Sequence, residues 1–198
     1  MRRIFIGTLV VLTIALINGC ANRKITRVDP SETIDLSGRW NDSDSRLVSE
    51  EMIGDLLTSA WIPRYLKAND KRPVVVVGLV ENKSHEHINS ETFIKDVEKA
   101  IIRDGNIRLV VAGEKRNELR KERAEQHDYA SPETTKKWGK ELGADFILQG
   151  TINSIVDSYK KQKVVTYQID LQLTNIETNE VVWMGDKKIK KQISDRVL

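Results

Sequence analysis

The sequence predicts a single α/β domain of the α+β kind, in which helices pack on a mixed sheet of about five strands. Two observations support this prediction. Residues 73–80 form a continuous valine-rich run, which is typical of a central strand buried on both faces. Residues 165–174 alternate apolar with polar side chains, which is typical of a strand with one buried face and one wet face. The predicted order of elements is αβαβααβββ, ending in an antiparallel meander.

The first helix is expected to begin near Ser43 or Asp44, because both residue types are good N-caps. Apolar residues within 47–60 recur at spacings of three to five, which predicts one apolar stripe along the helix. Pro63 is expected to end or kink this helix. Residues 67–72 then form a polar connection to the valine-rich strand.

A second helix is expected to begin at Asn89 or Ser90, after a polar loop. Gly105 stands where a left-handed C-cap would end that helix. Residues 107–111 predict a short second strand.

A charged segment, residues 114–126, predicts a surface helix with little packing. Tyr129 follows this helix and is expected to be exposed. A further helix is predicted to begin at Ser131, with Pro132 in its first turn. Three tryptophans fall on apolar faces and are expected in the core: Trp61, Trp138 and Trp183.

The last third of the chain predicts three strands. The first covers residues 146–156, and the alternating segment 165–174 is the second. Residues 177–180 form a hairpin turn, and Val181 to Met184 open the last strand, which runs into the charged stretch 186–191.

The length of the chain and its net charge favour a single domain that does not bind nucleic acid. The chain has 198 residues, which suits one domain of ordinary size. Without residues 1–19 the chain loses Arg2 and Arg3, so that 30 basic residues face 29 acidic residues. A balanced chain of this kind has no large basic field for nucleic acid, and no nucleic-acid partner is expected.

The first residues predict a signal peptide over 1–19. Residues 4–17 are mostly apolar, and 14 helical residues rise about 21 Å, short of the ~30 Å hydrocarbon core. This run ends in Ile17-Asn18-Gly19-Cys20, which resembles the lipobox of bacterial lipoproteins. The resemblance implies cleavage between Gly19 and Cys20 and lipidation of Cys20, the one cysteine of the chain.

The predicted organisation after cleavage is a lipidated N-terminus and tether over 20–42, then a globular periplasmic domain over 43–198. Within the tether Trp40 is expected to dock on the domain. Ala21 follows the cysteine, and the lipoprotein sorting rule that the lipobox implies then favours the outer membrane over inner-membrane retention. The expected localisation is a lipid anchor in the outer membrane, with the domain facing the periplasm.

Three segments carry a wider resemblance: the Asp-Leu-Ser-Gly-Arg-Trp-Asn-Asp stretch at 35–42, the Gly-Ala-Asp strand entry within 140–152, and the Glu-Thr-Asn-Glu hairpin within 173–183. Together these resemble the LpoB family, the lipoprotein activators of bifunctional penicillin-binding proteins, over roughly residues 35–193. The best-known members have a long proline-rich tether. Here the 22 residues of 21–42 span at most about 75 Å.

The resemblance implies a noncatalytic protein that docks on a small noncatalytic domain of a peptidoglycan synthase and stimulates synthesis. The sequence shows no nucleophile elbow and no phosphate loop, so no enzyme activity, catalytic residue or cofactor is expected. The alternative is an envelope-assembly or secretion lipoprotein, similar to the curli-secretion component.

The candidate partner interface comprises loop residues near core elements, because loops on a rigid scaffold commonly carry binding. Its predicted members are Asn82, Lys83, His87 and Tyr129. The cluster His85-Glu86-His87 could supply metal ligands, but a polar loop explains it equally well, and no metal site is predicted.

Overall fold

A computed structural model describes residues 25–131, 133 and 141–194. Its helices are α1 (Asp42–Thr58), α2 (Trp61–Asn69), α3 (Ser90–Asp104) and α4 (Gly113–Tyr129). Its strands are β1 (Val74–Asn82), β2 (Arg108–Val110), β3 (Phe146–Tyr159), β4 (Gln162–Asn175) and β5 (Val181–Ser194).

The strands form one mixed sheet in the order β2-β1-β3-β4-β5. β1 pairs in parallel with both β2 and β3, whereas β3, β4 and β5 are antiparallel neighbours. The predicted five-stranded mixed sheet with a terminal antiparallel meander is therefore confirmed. The turn at 177–180 joins β4 to β5 as predicted, with Asn179 at a positive φ of 61°.

The hydrophobic core lies between the sheet and the helices α1, α2 and α3. Trp61 and Tyr65 of α2 each place their ring centroid 5.3 Å from that of Phe146 on β3. Trp183 of β5 is buried, and its indole N–H donates to Asp55 of α1 at 2.8 Å. The core positions predicted for Trp61 and Trp183 are confirmed, and Trp138 lies outside the described residues.

The start of α1 differs from the prediction. Asn41 is the N-cap, and a reciprocal capping box joins it to Asp44, which occupies the third helical position. Ser43 and Asp44 are instead buried inside the first turn. Asn41 prevails because its extended backbone lets its side chain accept the Asp44 N–H at 3.1 Å.

The role predicted for Pro63 is also corrected. α1 ends at Thr58, and Pro63 lies in the first turn of a separate helix, α2, where its missing N–H has no intrahelical partner to lose. Residues 67–69, predicted as part of a polar connection, complete that helix. α3 begins after Asn89 as N-cap and ends at Gly105 in the left-handed conformation, as predicted.

The meander strands are longer than predicted, because each of β3, β4 and β5 has 14 residues. The charged stretch 186–191 stays in β5, since alternation sends every second lysine to solvent. α4 has no buried residue, which confirms the predicted surface helix. The helix predicted from Ser131 falls mostly outside the described residues.

Candidate partner interface

Residues 35–41 are fastened to β5 before α1 begins. The Lys191 ammonium lies 2.7 Å from Asp35 Oδ1 and 2.6 Å from Asp44 Oδ2, and it donates to the Arg39 carbonyl at 2.9 Å. Its side chain is only 10% exposed. Burial lowers the pKa of Lys191, but the hydrogen bonds to both carboxylates raise that pKa more, so the lysine is held charged.

A tight turn in this segment needs glycine. Gly38 has a φ of +68°, and a Cβ on it would lie 2.5 Å from the Ile193 side chain of β5. The turn delivers Trp40 onto the domain, where its indole N–H donates to Ser45 at 2.8 Å and its ring meets Tyr167 edge-on at 5.3 Å. The docking predicted for Trp40 is therefore confirmed.

The loop that follows β1 is built by Asn82. Its side-chain oxygen accepts from the Ser84 N–H at 3.0 Å and from the Ser84 hydroxyl at 2.7 Å, while its amide donates to the Glu86 carbonyl at 2.8 Å. The Lys83 N–H donates to the Ile152 carbonyl of β3 at 2.8 Å. These bonds tie the first half of the loop to itself and to β3.

His85 and Glu86 join this loop to the Trp40 segment. The His85 ring contacts the Ser154 hydroxyl through Nδ1 at 2.7 Å and Glu86 through Nε2 at 3.3 Å. The other Glu86 oxygen accepts the Trp40 backbone N–H at 3.0 Å. Tyr167 lies buried beneath, and its burial, followed by the nearby Glu86 carboxylate, raises its pKa.

A pocket of about 310 Å³ opens where these parts meet. We call it the Arg39–Lys163 pocket. Its lining contains all three side-chain types that can carry a positive charge, together with one carboxylate and one tryptophan. The residues are Arg39, Trp40, His85, Glu86, His87 and Lys163. The side chains of Arg39, His87 and Lys163 make no hydrogen bond or ion pair with any other described residue.

The predicted interface residues occupy different settings. His87 is exposed on the rim of the Arg39–Lys163 pocket. Lys83, four residues earlier, is also exposed, and its ammonium lies 3.2 Å from Glu81. Asn82 is half-buried, with its polar atoms committed to the loop. Tyr129 is 89% exposed at the end of α4 and does not line this pocket. Gly19 and Cys20 lie outside the described residues.

Sequence reasoning missed Arg39, Lys163 and Lys191. A usable signal existed for Lys191, because it shares the strand parity of Trp183 and alternation therefore turns it toward the core face. A lysine at an inward position predicts a carboxylate partner. The same parity marks Lys163, which alternates in step with the buried Val165 and Tyr167 of β4. No such signal marks Arg39, which reaches the pocket through the turn at Gly38.

Among residues 25–131, 133 and 141–194, no three or more His, Cys, Asp or Glu side chains are grouped so that they could hold a metal ion. Over the same residues, every helix is too short or too polar to cross a membrane.

Comparison with known families and curated proteins gives two results. The profile of the family described as peptidoglycan-synthase activator LpoB matches residues 44–189. No curated protein matches the chain.

Several solved structures align with the domain. The LpoB C-terminal domain from Escherichia coli is 18% identical, with a TM-score of 0.42, over 77% of this chain and 99% of that one. The LpoB C-terminal domain from Salmonella enterica is 15% identical, with a TM-score of 0.41, over 74% and 98%. Lipoprotein GNA1162 from Neisseria meningitidis is 16% identical, with a TM-score of 0.38, over 62% and 84%.

Proposed function

The chain belongs to the family of the peptidoglycan-synthase activator LpoB, and from that premise we propose that it binds a bifunctional penicillin-binding protein and stimulates its synthesis of peptidoglycan. One observation carries this proposal: the family match runs from the first turn of α1 to residue 189 in β5, and so includes β1 to β4, most of β5 and the loop after β1. In this proposal the chain regulates the synthase through a noncatalytic docking domain and performs no chemistry itself.

An activator of this kind acts through differential affinity. It stimulates only if it binds an active conformation of the synthase more tightly than an inactive one. A tenfold stimulation needs a difference of only about 1.4 kcal/mol between the two states. A modest protein interface can supply that difference.

The contact surface that we propose contains the exposed loop after β1 and the end of α4. Asn82 holds that loop in shape, and Lys83 and His87 present their side chains to solvent. Tyr129 is the most exposed of the described tyrosines, and an exposed aromatic ring is a common anchor of protein interfaces.

We also propose that Cys20 carries the lipid anchor and that the domain faces the periplasm from the outer membrane. The lipobox-like sequence before Cys20 supports this placement. Stable anchoring takes more than one acyl chain, which a triacylated cysteine provides. Cys20→Ser should abolish labelling by a palmitate analogue and leave the precursor uncleaved. Normal labelling of that variant would contradict the anchor.

The functional test is lipid II polymerisation by the bifunctional penicillin-binding protein of the same organism, with and without the full chain in detergent. We expect stimulation by the wild-type chain and no polymerisation by the chain alone. Tyr129→Ala should reduce the stimulation. Tyr159→Ala is the matched control, because Tyr159 is also a well exposed tyrosine, at 73%, but lies at the tip of the β3–β4 hairpin.

The possible outcomes distinguish an error in the proposed activator role from an error in the placement of the contact. A synthase that neither binds nor responds at micromolar concentrations of the chain contradicts the activator role and favours the envelope-assembly alternative. Stimulation that is equal in wild type and Tyr129→Ala contradicts only the placement of the contact at α4.

A further inference from the structure

The Arg39–Lys163 pocket has an unbalanced set of side chains. Two permanent cations, Arg39 and Lys163, line the pocket with one carboxylate, Glu86, so the lining has at least one more cation than anion. Glu86 is already engaged, since it contacts His85 Nε2 and accepts the Trp40 N–H. The guanidinium and the ammonium have no such partner among the described residues.

Hydrogen bonds and a tight turn fix the walls of the pocket. Lys191 fixes the Arg39 backbone through its carbonyl, and the turn at Gly38 sets the direction in which the Arg39 side chain leaves. Ser154 and Glu86 hold His85 from two sides. A site whose walls are fixed loses little conformational entropy when it binds, which favours specific recognition.

We infer that the Arg39–Lys163 pocket receives an acidic side chain, an aspartate or a glutamate, from the docking domain of the synthase, an assignment that rests on the proposed function. A single carboxylate would balance the extra permanent cation of the lining. Arg39 can bind it through two parallel N–H bonds, and Lys163 can add a third.

The size of the pocket favours a side chain over a free ligand. At about 310 Å³ it stands at the lower end of the range for small-molecule sites, and it is open to solvent. Its rim carries Trp40 and Arg39, two of the residue types that are most enriched at the energetic centres of protein interfaces. The pocket also adjoins His87, which the proposed contact surface already includes.

The test compares two double variants that each remove one arginine and one lysine charge. Arg39→Gln with Lys163→Gln removes both cations of the pocket and keeps the Arg39 carbonyl for Lys191. Arg64→Gln with Lys67→Gln is the matched control, because both residues are exposed on α2 and neither lines the pocket. The measurement is the Kd between the full chain in detergent and the synthase, at several salt concentrations.

We expect the pocket variant to bind at least tenfold more weakly and to show a shallower dependence of Kd on salt. The control should stay within twofold of wild type. Arg39→Lys with Lys163→Arg keeps both charges and should bind more tightly than the glutamine pair. Equal thermal melting midpoints for all chains ensure that the comparison concerns folded protein.

Equal binding by the pocket variant and the control would overturn the inference, because only the net charge of the chain, and not the position of the two cations, would then affect the Kd. A wild-type chain that binds normally in that experiment leaves the proposed function intact. A wild-type chain that does not bind the synthase overturns both. If free acetate and free phosphate compete equally with the synthase at millimolar concentration, the pocket is a general anion site and the assignment to an acidic side chain is wrong.

Discussion

The helices α1 and α4 have the same length, 17 residues, and opposite relations to the domain. α1 buries seven residues against the sheet and α3, and Asn41 caps its first turn. α4 buries none, and its N-cap position is Ala112, which has no polar side chain. Its fastening is electrostatic, because Arg120 contacts both oxygens of Glu141 at 2.9 Å and Arg123 contacts one at 3.0 Å.

The contrast shows that helix length says little about how strongly a helix is held. Burial of apolar area stabilises α1 by a term that electrostatic screening does not weaken. The ion pairs of α4 are exposed and are screened by salt, so we expect α4 to contribute little to global stability and to open before the core. Tyr129 at its end is therefore presented by an element that can shift without unfolding the core.

We expect the largest difference in stability between two alanine substitutions, one of a leucine in α1 and one of a leucine in α4. Leu56 of α1 is fully buried, and Leu56→Ala should lower the free energy of unfolding by about 2–5 kcal/mol. Leu119 of α4 is 49% exposed, and Leu119→Ala should change it by less than about 0.5 kcal/mol. Urea denaturation followed by tryptophan fluorescence measures both. Equal losses would show that α4 packs more tightly than its exposure indicates.

A smaller effect should come from the caps. Asn41→Ala removes the acceptor for the Asp44 N–H and should lower the free energy of unfolding by about 0.5–2 kcal/mol. Asn41→Ser restores an acceptor and should recover most of that loss. Ala112→Asn in α4 should instead slow amide exchange within α4 alone. A change in global stability on that last substitution would mean that α4 unfolds together with the core.

The smallest effect concerns the carboxylate that fastens α4. The hydrogen bond from Arg120 lowers the pKa of Glu141 from 4.5 to about 2. A lowered pKa means that the contact is complete above pH 4.5 and is lost as the pH falls toward 2. An NMR titration should show the Glu141 carboxyl and the Arg120 Nε shifting with one common midpoint. A normal midpoint for Glu141, or an Arg120 shift that persists in Glu141→Gln, would contradict the pairing.

Periodic patterns predicted most of the fold. The alternation in 165–174 located β4, and the valine-rich run located β1, because both patterns record burial directly. The polar helix over 114–126 and the caps at Asn89 and Gly105 could also be predicted, since each depends on a few neighbouring residues. A sequence pattern therefore predicted the structure well wherever it lay within a single helix or strand.

The remaining features depend on residues that are distant in sequence. The segment before α1 is fastened to β5 by Lys191, which binds Asp35 although it lies 156 residues later in the chain. The Arg39–Lys163 pocket combines the turn before α1, the loop after β1 and the start of β4. A single sequence gives no register between such segments, so the pocket could not be predicted.

The position of β5 at the end of the strand order has a consequence for solubility. In the described part of the chain nothing pairs with its outer edge, so 14 residues could template another strand. Lys188 and Lys190 stand exposed along it, without an ion pair among the described residues. In an antiparallel register that sets Lys188 opposite Lys190, a second copy would bring its own lysines within about 5 Å, inside the ~8 Å screening length of physiological salt. Their repulsion opposes aggregation through this edge, and it weakens as salt rises.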